Sequence, residues 1–393
     1  SCGPTVYDRA HIGNLASFIY ADLLKRTLAS NFPEAKIKHV MNLTDVDDKT
    51  IKRSQETYPD LEPMAALQKL TRHYERLFME DLQSIGVNTT KIDFVRATDY
   101  ISQMQELITE LVASGIGYVT DDGVYFSIAK YKQSGKKYGQ LVEITSESTG
   151  AARVNNDEYD KDTVHDFALW KKQKPGEPAW GFEIDGDDLT GRPGWHIECS
   201  AMSAAKLGRP FDIHTGGVDL KFPHHENEIA QSTAASAEKC LAKFFVHSEH
   251  ILVDGQKMSK SSNNFYTLKN VIDKGYDPLA FRLLVLQADY HSQAHFSFEN
   301  LEAAQNRLKR FGRWADRQFQ PQAYDGNLTT ALANAGLRQQ IVEQVANDLD
   351  TPALLAAIEG VIERTEKKPL TSAHLDNFRT LLSLIDEVSG LKL

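Results

Sequence analysis

The chain has 393 residues, 41% hydrophobic and 25% charged, so it can bury a sizeable core and should divide into two or more packed domains. No run approaches the roughly 18 apolar residues needed to cross a bilayer, and no basic stretch followed by an apolar one opens the chain. This argues against membrane association and for a cytoplasmic location. The formal net charge of −10 argues against a surface that grips nucleic acid all over, while leaving room for one local basic face. Three cysteines, Cys2, Cys199 and Cys240, are an odd number, which disfavours a disulfide framework and favours reduced thiols or metal ligation.

The chain opens at Ser1 without a methionine, on what reads as a strand-to-loop junction, and native residues are expected upstream. After Cys2-Gly3-Pro4-Thr5-Val6-Tyr7-Asp8, the run His11-Ile12-Gly13-Asn14 reads as the start of a helix. A glycine-bearing loop leading to a helix N-terminus suits an anion, because backbone N–H groups and the helix dipole both favour phosphate. An ordinary loop histidine is the competing reading. Ile37 to Leu43 reads as a strand, and a helix follows with Leu67, Leu70, Tyr74 and Leu77 on one face and Pro63 near its start. From Gly117 to Trp180 the texture changes. Tyr118 to Phe126 reads as a hairpin with an Asp-Gly turn, and a polar, lysine-rich loop follows, which together suggest an insertion. Strand signals return at Phe211 to His214 and at Ile251 to Val253. After about Ser297 the pattern is helical, with Leu375, Phe378, Leu382 and Ile385 on packing faces and Pro321 and Pro369 at breaks. The predicted fold class is α/β: a Rossmann-like parallel-sheet domain split by an insertion and followed by an α-helical bundle. There is no internal repeat and no low-complexity tract.

The densest cluster of functional side chains is Phe222-Pro223-His224-His225-Glu226-Asn227-Glu228. If Pro223 starts a helix, His224 and Glu228 fall at i and i+4 on one face, a spacing that can chelate a metal. Two ligands do not close a zinc site, so thiolates are needed. Cys199, in Trp195-His196-Ile197-Glu198-Cys199, and Cys2 could supply them. On pattern alone a solvated helix face and two buried, inert cysteines remain open. Lys257-Met258-Ser259-Lys260-Ser261-Ser262 is a loop with two lysines and several hydroxyls, suited to neutralising charge on a transferring phosphate. A bare lysine-serine loop is also compatible with plain surface.

Taken together these residues resemble the class I aminoacyl-tRNA synthetases, whose two ATP signatures, His-Ile-Gly-His early and Lys-Met-Ser-Lys-Ser late, have counterparts here in that order. Within that class, Cys2 to Tyr7, Asn42 to Lys49, Gly194 to Ser200 and Phe222 to Glu228 look like cysteinyl-tRNA synthetase, and the resemblance spans almost the whole chain. It implies ATP-dependent activation of L-cysteine and transfer to the terminal adenosine of tRNA(Cys), one Zn2+ held by Cys2, Cys199, His224 and Glu228, and Mg2+ with ATP. It further implies that His11, Gly13, Asn14, Lys257, Met258, Ser259 and Lys260 bind ATP, with His11, Asn14, Lys257 and Lys260 in catalytic roles. Trp195, His196, His214 and Thr44 are assigned to the cysteine pocket. A soft metal-bound pocket selects the substrate thiol over the serine hydroxyl, so no editing site is required, and no segment resembles one.

The resemblance divides the chain into a first catalytic half at 1–112, a connective insertion at 113–193, a second catalytic half with the zinc pocket at 194–247, a stem-contact region at 248–300 and a tRNA-binding bundle at 301–393. A monomer is expected. Asn14 replaces the second signature histidine, and Leu15-Ala16 stands where relatives often carry a small residue and then arginine, which bears on rate rather than reaction type. Because the chain stops at Leu393, it is expected to lack the small anticodon-reading domain of many relatives and to choose tRNA through the acceptor stem and the bundle. The nearest rival is the paralogous ligase that joins cysteine to an amino-sugar in mycothiol synthesis, which the short tail favours. Pro4-Thr5-Val6 and Asp289 to Gln293 favour the synthetase. An inactive RNA-binding module is the alternative from another class, opposed by the intact Lys257, Lys260 and ligand set.

Overall fold

The strand Val40–Leu43 is buried at every position, as a near-continuous apolar run in a parallel sheet demands, and pairs in parallel with Asp93–Arg96 in the register Val40 to Asp93 through Leu43 to Arg96. It begins at Val40 rather than Ile37, because Ile37, Lys38 and His39 precede the pairing and are not uniformly buried. These features belong to a computed structural model that describes residues 1–143, 153–154, 165–234, 236, 239–258, 264–321 and 335–393. By contact the chain divides into two compact units, one made of residues 1–9, 38–78 and 92–247 and the other of 10–37, 79–91 and 248–393.

In the first unit the helix Pro63–Ser84 begins at the predicted proline, and Leu67 and Leu70 turn inward. Helix Ile101–Ala113 buries Ile101, Met104, Leu107, Ile108 and Leu111, a three-and-four spacing that makes one apolar stripe. The predicted hairpin is present as Gly117–Thr120 against Gly123–Phe126. Its two turn residues are Asp121 and Asp122, not Asp-Gly, because Gly123 already pairs with Thr120. The hairpin extends into an antiparallel sheet through Asp166–Lys172, on which Gly191–Pro193 also pairs. The core of this sheet stacks Phe126 on Phe167 at 4.9 Å and buries Trp170, whose indole N–H donates to the Leu189 carbonyl at 2.7 Å. Residues 144–152 and 155–164 of the predicted lysine-rich loop lie outside the described residues. Helix Trp195–Leu207 leaves this sheet directly after Pro193, strand Phe211–Gly217 pairs with Ala242–Ser248, and helix Glu226–Ala234 lies between them in sequence.

The second unit is built on helix Ile12–Asn31, the parallel pair Ile251–Val253 and Ala294–Phe296, and helices Pro278–Leu286, Phe298–Ala315, Ala335–Ala346, Thr351–Thr365 and Leu375–Ser389. Phe378, Leu382 and Ile385 are buried, and Trp314 packs edge-on against Phe378 at 4.8 Å while its indole donates to the Thr365 hydroxyl. No helix among the described residues is long and apolar enough to cross a membrane.

One buried ionic node ties this unit together. Arg282 has no exposed side chain; it donates to Asp22 at 2.7 Å and to the carbonyls of Ser389 and Ile85. Asp22 also accepts from Arg26 at 2.7 Å, and Arg26 donates to the Asp386, Glu387 and Gly86 carbonyls. Burial opposes ionisation of Asp22, but Arg282 and Arg26 outweigh it and hold the carboxyl below its usual range. Asp22→Ala would leave Arg282 buried and unpaired, at a cost of about 3–5 kcal/mol in urea unfolding at neutral pH. Because the folded pKa of Asp22 is depressed, its contribution is complete above the unfolded carboxyl value of about 3.9 and fades as pH falls through the folded one. The stability gap between the native chain and Asp22→Ala is therefore expected to narrow below about pH 4. A gap that persists unchanged there would contradict the assignment.

Candidate functional site

Four buried side chains from three segments of the first unit converge. Cys2 lies in the opening segment, whose main chain is laced into the sheet: Cys2 N–H donates to the Thr215 carbonyl at 3.0 Å, Thr44 N–H to Pro4 at 3.1 Å, and Val6 N–H to Thr44 at 3.0 Å. Gly3 is required there, because a Cβ would fall on the Asn42 carbonyl oxygen. Cys199 projects from the first turns of helix Trp195–Leu207, all of whose residues from His196 to Met202 are buried. His224 and Glu228 come from the turn Lys221–His225 and the helix Glu226–Ala234.

Phe222 is extended (φ −136°, ψ 134°), and helical backbone opens at Pro223, as the sequence suggests, with one wide turn leading into the regular α-helix Glu226–Ala234. The i to i+4 contact forms, with His224 Nε2 3.0 Å from Glu228 Oε1. Glu226 anchors this helix start by accepting from the main-chain N–H groups of Gly139 and Leu141, and Tyr138 donates to Asn227 at 2.6 Å.

One donor atom from each of Cys2, Cys199, His224 and Glu228 lies within 4.8 Å of the others, and all four residues are buried. The solvated helix face is thereby excluded for His224 and Glu228, which are 1% and 0% exposed. Two thiols, an imidazole and a carboxylate are a donor set that suits a tetrahedral divalent cation, and burying this many acidic groups together is costly without one. The residues present therefore fit a metal ion.

Of the residues assigned to the amino-acid pocket, Trp195, His196 and His214 lie against this group, and Thr44 reaches it only through Glu198. Trp195 is half-buried and stacks on His224 with ring centroids 4.4 Å apart and 21° between planes. His196 Nδ1 lies 2.9 Å from His224 Nδ1, so the other nitrogen of His224 is the one directed at Glu228. Thr44 is fully buried and donates to Glu198, the residue before Cys199, at 2.9 Å. His214 Nε2 lies 3.0 Å from Glu228 Oε2 and 3.8 Å from Cys2 Sγ. A cavity of about 30 Å³, room for about one water, is lined in part by Cys2, Asn42, Cys199 and His214.

Sequence reasoning missed His225. Its Nε2 lies 3.4 Å from Cys2 Sγ, its ring stacks on His214 at 4.2 Å, and Cys2, His214, His225 and Glu228 form a second group with metal-binding spacing. The signal was the adjacent histidine pair, of which only the first fits an i to i+4 pattern with Glu228. His247 was missed too; its Nε2 lies 2.8 Å from His225 Nδ1.

Burial opposes the charged form of His214, yet Glu228 and Cys2 beside it push its pKa up to about 9. Burial and the neighbouring His214 push His225 down to about 3, and burial brings His247 down to about 4. The Cys199 thiol and the nearby histidines hold the Cys2 thiol well below its ordinary value against the effect of burial. The hydrogen-bonded Cys2 thiol and burial raise Cys199.

In the second unit, His11 caps helix Ile12–Asn31, its Nδ1 accepting from the Asn14 N–H at 3.2 Å. That places the proton of the neutral ring on Nε2. Ile12 N–H donates to the Tyr266 carbonyl at 2.9 Å, and the His11 ring meets Phe265 edge-on at 5.3 Å. Lys257 ends the short strand Gln256–Lys257, paired antiparallel with Ile251–Val253. Met258 is brought to Gly13: a Cβ on that glycine would lie 2.8 Å from Met258 Cε and 3.0 Å from the His11 ring. Ser259, Lys260, Ser261 and Ser262 lie outside the described residues.

A family model described as the class I (C) tRNA synthetase catalytic domain matches residues 1–306. The chain is 39% identical over 401 residues to the cysteine–tRNA ligase of Brachyspira hyodysenteriae, covering all of this chain and 80% of that protein. It is 40% identical over 411 residues to the cysteine–tRNA ligase of Chlamydia muridarum, covering all of this chain and 82% of that protein. For the cysteine–tRNA ligase of Koribacter versatilis the identity is 42% over 362 residues, with 91% of this chain and 69% of that protein covered. Among solved structures, the LeuRS–tRNA–LeuAMS ternary complex of Agrobacterium radiobacter K84 superposes with a TM-score of 0.69 at 10% identity over 99% of this chain and 83% of that one. Mycobacterium tuberculosis methionyl-tRNA synthetase with methionyl-adenylate gives 0.64 at 14% identity over 99% and 88%. At such identities these two structures speak to the fold alone, the class I synthetase architecture of an α/β domain and a helical C-terminal region. With the profile and the full-length relatives in agreement, the chain belongs to the cysteine–tRNA ligase family of class I tRNA synthetases.

Proposed function

We propose that the chain activates L-cysteine with ATP and transfers it to the terminal adenosine of tRNA(Cys). The observation that carries this reading is the buried convergence of Cys2, Cys199, His224 and Glu228 in a chain of this family. These four residues would hold one zinc ion, which supplies a soft Lewis-acid centre that favours a substrate thiol over a hydroxyl. Trp195, His196, His214 and Thr44 would shape the space around the amino acid: Trp195 orients His224 by stacking, His196 fixes the ring nitrogen it presents, and Thr44 is held by Glu198. Domain roles follow the same reading, with 1–112 and 194–247 as the catalytic halves, 113–193 as a connective insertion, 248–300 as a stem-contact region and 301–393 as a tRNA-binding bundle.

The first chemical step joins a carboxylate oxygen of cysteine to the α-phosphorus of ATP and breaks the bond to the departing pyrophosphate. In the second, a ribose hydroxyl of the terminal adenosine attacks the cysteinyl carbonyl and AMP leaves. Neither step needs a side-chain nucleophile, so positioning and charge neutralisation carry the rate. The dipole at the N-terminus of helix Ile12–Asn31 would favour phosphate there, with the Nε2 proton of His11 and the Asn14 side chain as donors, since the Ile12 and Asn14 main-chain N–H groups are already bonded to Tyr266 and His11. Lys257 and Lys260 would neutralise phosphate charge, Met258 and Ser259 would complete the ATP contact, and Mg2+ would accompany ATP as its counter-ion.

Cysteine-dependent ATP–pyrophosphate exchange, followed by charging of tRNA(Cys) against ligation of an amino-sugar, tests the reading. Exchange with tRNA charging is expected. Exchange that leads only to amino-sugar ligation, or metal-loaded protein without exchange, would overturn it.

Metal analysis of a Cys199→Ser variant should give well under one zinc per chain, and a chelator should lower the thermal midpoint of the native protein but not of the variant. Full zinc retention would remove Cys199 from the ligand set. Gly13→Ala must displace Met258 or the His11 ring. At about 1–3 kcal/mol for such overpacking, it should cut kcat/KM for ATP in the exchange reaction by about ten- to hundredfold, with metal content unchanged. An unaltered ATP dependence would separate Gly13 from the nucleotide site.

A further inference from the structure

We propose that Asn42 and Glu198 are positioning residues that, through Thr44, brace the Cys2 and Cys199 thiols at the spacing a metal ion requires. The proposal rests on the metal reading above. Gly3 N–H donates to Asn42 Oδ1 at 2.6 Å, the Asn42 amide donates to Thr44 Oγ1 at 3.2 Å, and the Thr44 hydroxyl donates to Glu198 Oε2 at 2.9 Å. The chain of bonds starts at the residue after one candidate ligand, Cys2, and ends at the residue before the other, Cys199. All three donors point the same way and the last acceptor is a carboxylate, so each bond polarises the next.

The three side chains of the relay are buried: Asn42, Thr44 and Glu198 are 6%, 0% and 0% exposed. An asparagine in the middle of an apolar parallel strand and a carboxylate in the first buried turn of a helix are both costly placements, which pairing with each other through Thr44 offsets. Cys2 and Cys199 belong to segments far apart in sequence, and this relay is a side-chain link between them that uses no donor atom of either thiol. Groups that orient ligands in this way commonly set metal affinity by ~10–100-fold.

Cobalt(II) titration of the metal-stripped full chain, read by thiolate-to-cobalt charge transfer and d–d absorption, with chelator competition for zinc, compares the native protein with Asn42→Ala and Glu198→Gln. Both variants should keep charge-transfer intensity for two thiolates while binding metal ~10–100-fold more weakly and shifting the d–d bands. Glu198→Gln should be the milder, since its amide oxygen can still accept from Thr44. Native affinity and an unshifted spectrum in both variants would overturn the brace, as would a fall in the thermal midpoint of the metal-free protein alone. If Asn42→Ala does not fold, Glu198→Gln, which preserves volume, decides by the same readings. Absence of thiolate charge transfer in the native chain would instead sink the metal reading, and the brace with it.

Discussion

The constraint on which the first unit depends is the burial of acidic groups at one point. Cys2, Cys199, Glu228 and the adjoining Glu198 are all nearly inaccessible to water, and nothing apolar can offset several ionisable acids placed side by side. Histidines face these acids: Glu228 is bonded to both His214 and His224. A divalent ion is the other partner such a donor set can take. The elements that bring the four donors together are otherwise unrelated: an opening segment, the buried start of one helix, and a turn with the helix after it.

Those elements are each fixed by something other than the site. The opening segment is held by main-chain bonds to Thr44 and Thr215, helix Trp195–Leu207 by its continuity with the sheet strand Gly191–Pro193, and helix Glu226–Ala234 by the bonds of Glu226 and Asn227 to the 138–141 loop. The last of these links gives the segment read as an insertion a mechanical role. Tyr138, Gly139 and Leu141 locate the helix that carries Glu228, so this stretch bears on where that carboxylate is placed.

Much of this was legible in the sequence, and the reasons differ from residue to residue. The helix at His11 was readable because capping chemistry is local: a side-chain acceptor, a glycine and a run of apolar residues suffice. The i to i+4 contact of His224 with Glu228 was readable for the same reason, since the extended Phe222 ends just where Pro223 opens the helical backbone. Cys2 and Cys199 are 197 positions apart, and their meeting is a property of the tertiary fold that no spacing rule contains. It came from family resemblance. His225 escaped because an adjacent pair of histidines points to different sides of a helical turn, and only three-dimensional packing shows that the second ring also reaches Cys2. The strand at Ile37 was read too long because Ile37 and Val40 bracket a short extended stretch, Lys38 and His39, that lies upstream of the paired residues.

The second unit shows the opposite balance of local and non-local effects. Its helix start at His11 is capped locally, but a distant residue packs on the glycine in it: a Cβ at Gly13 would lie 2.8 Å from Met258 Cε. A signature glycine early in the chain and a signature methionine late in it are therefore one packing feature seen twice. The segment on the other side of residues 259–263 meets the same helix start, since Tyr266 accepts from Ile12 N–H and Phe265 packs on His11. Met258 before residues 259–263 and Phe265 and Tyr266 after them thus meet the same helix N-terminus, so two stretches far from it in sequence fix the surroundings of His11 and Gly13.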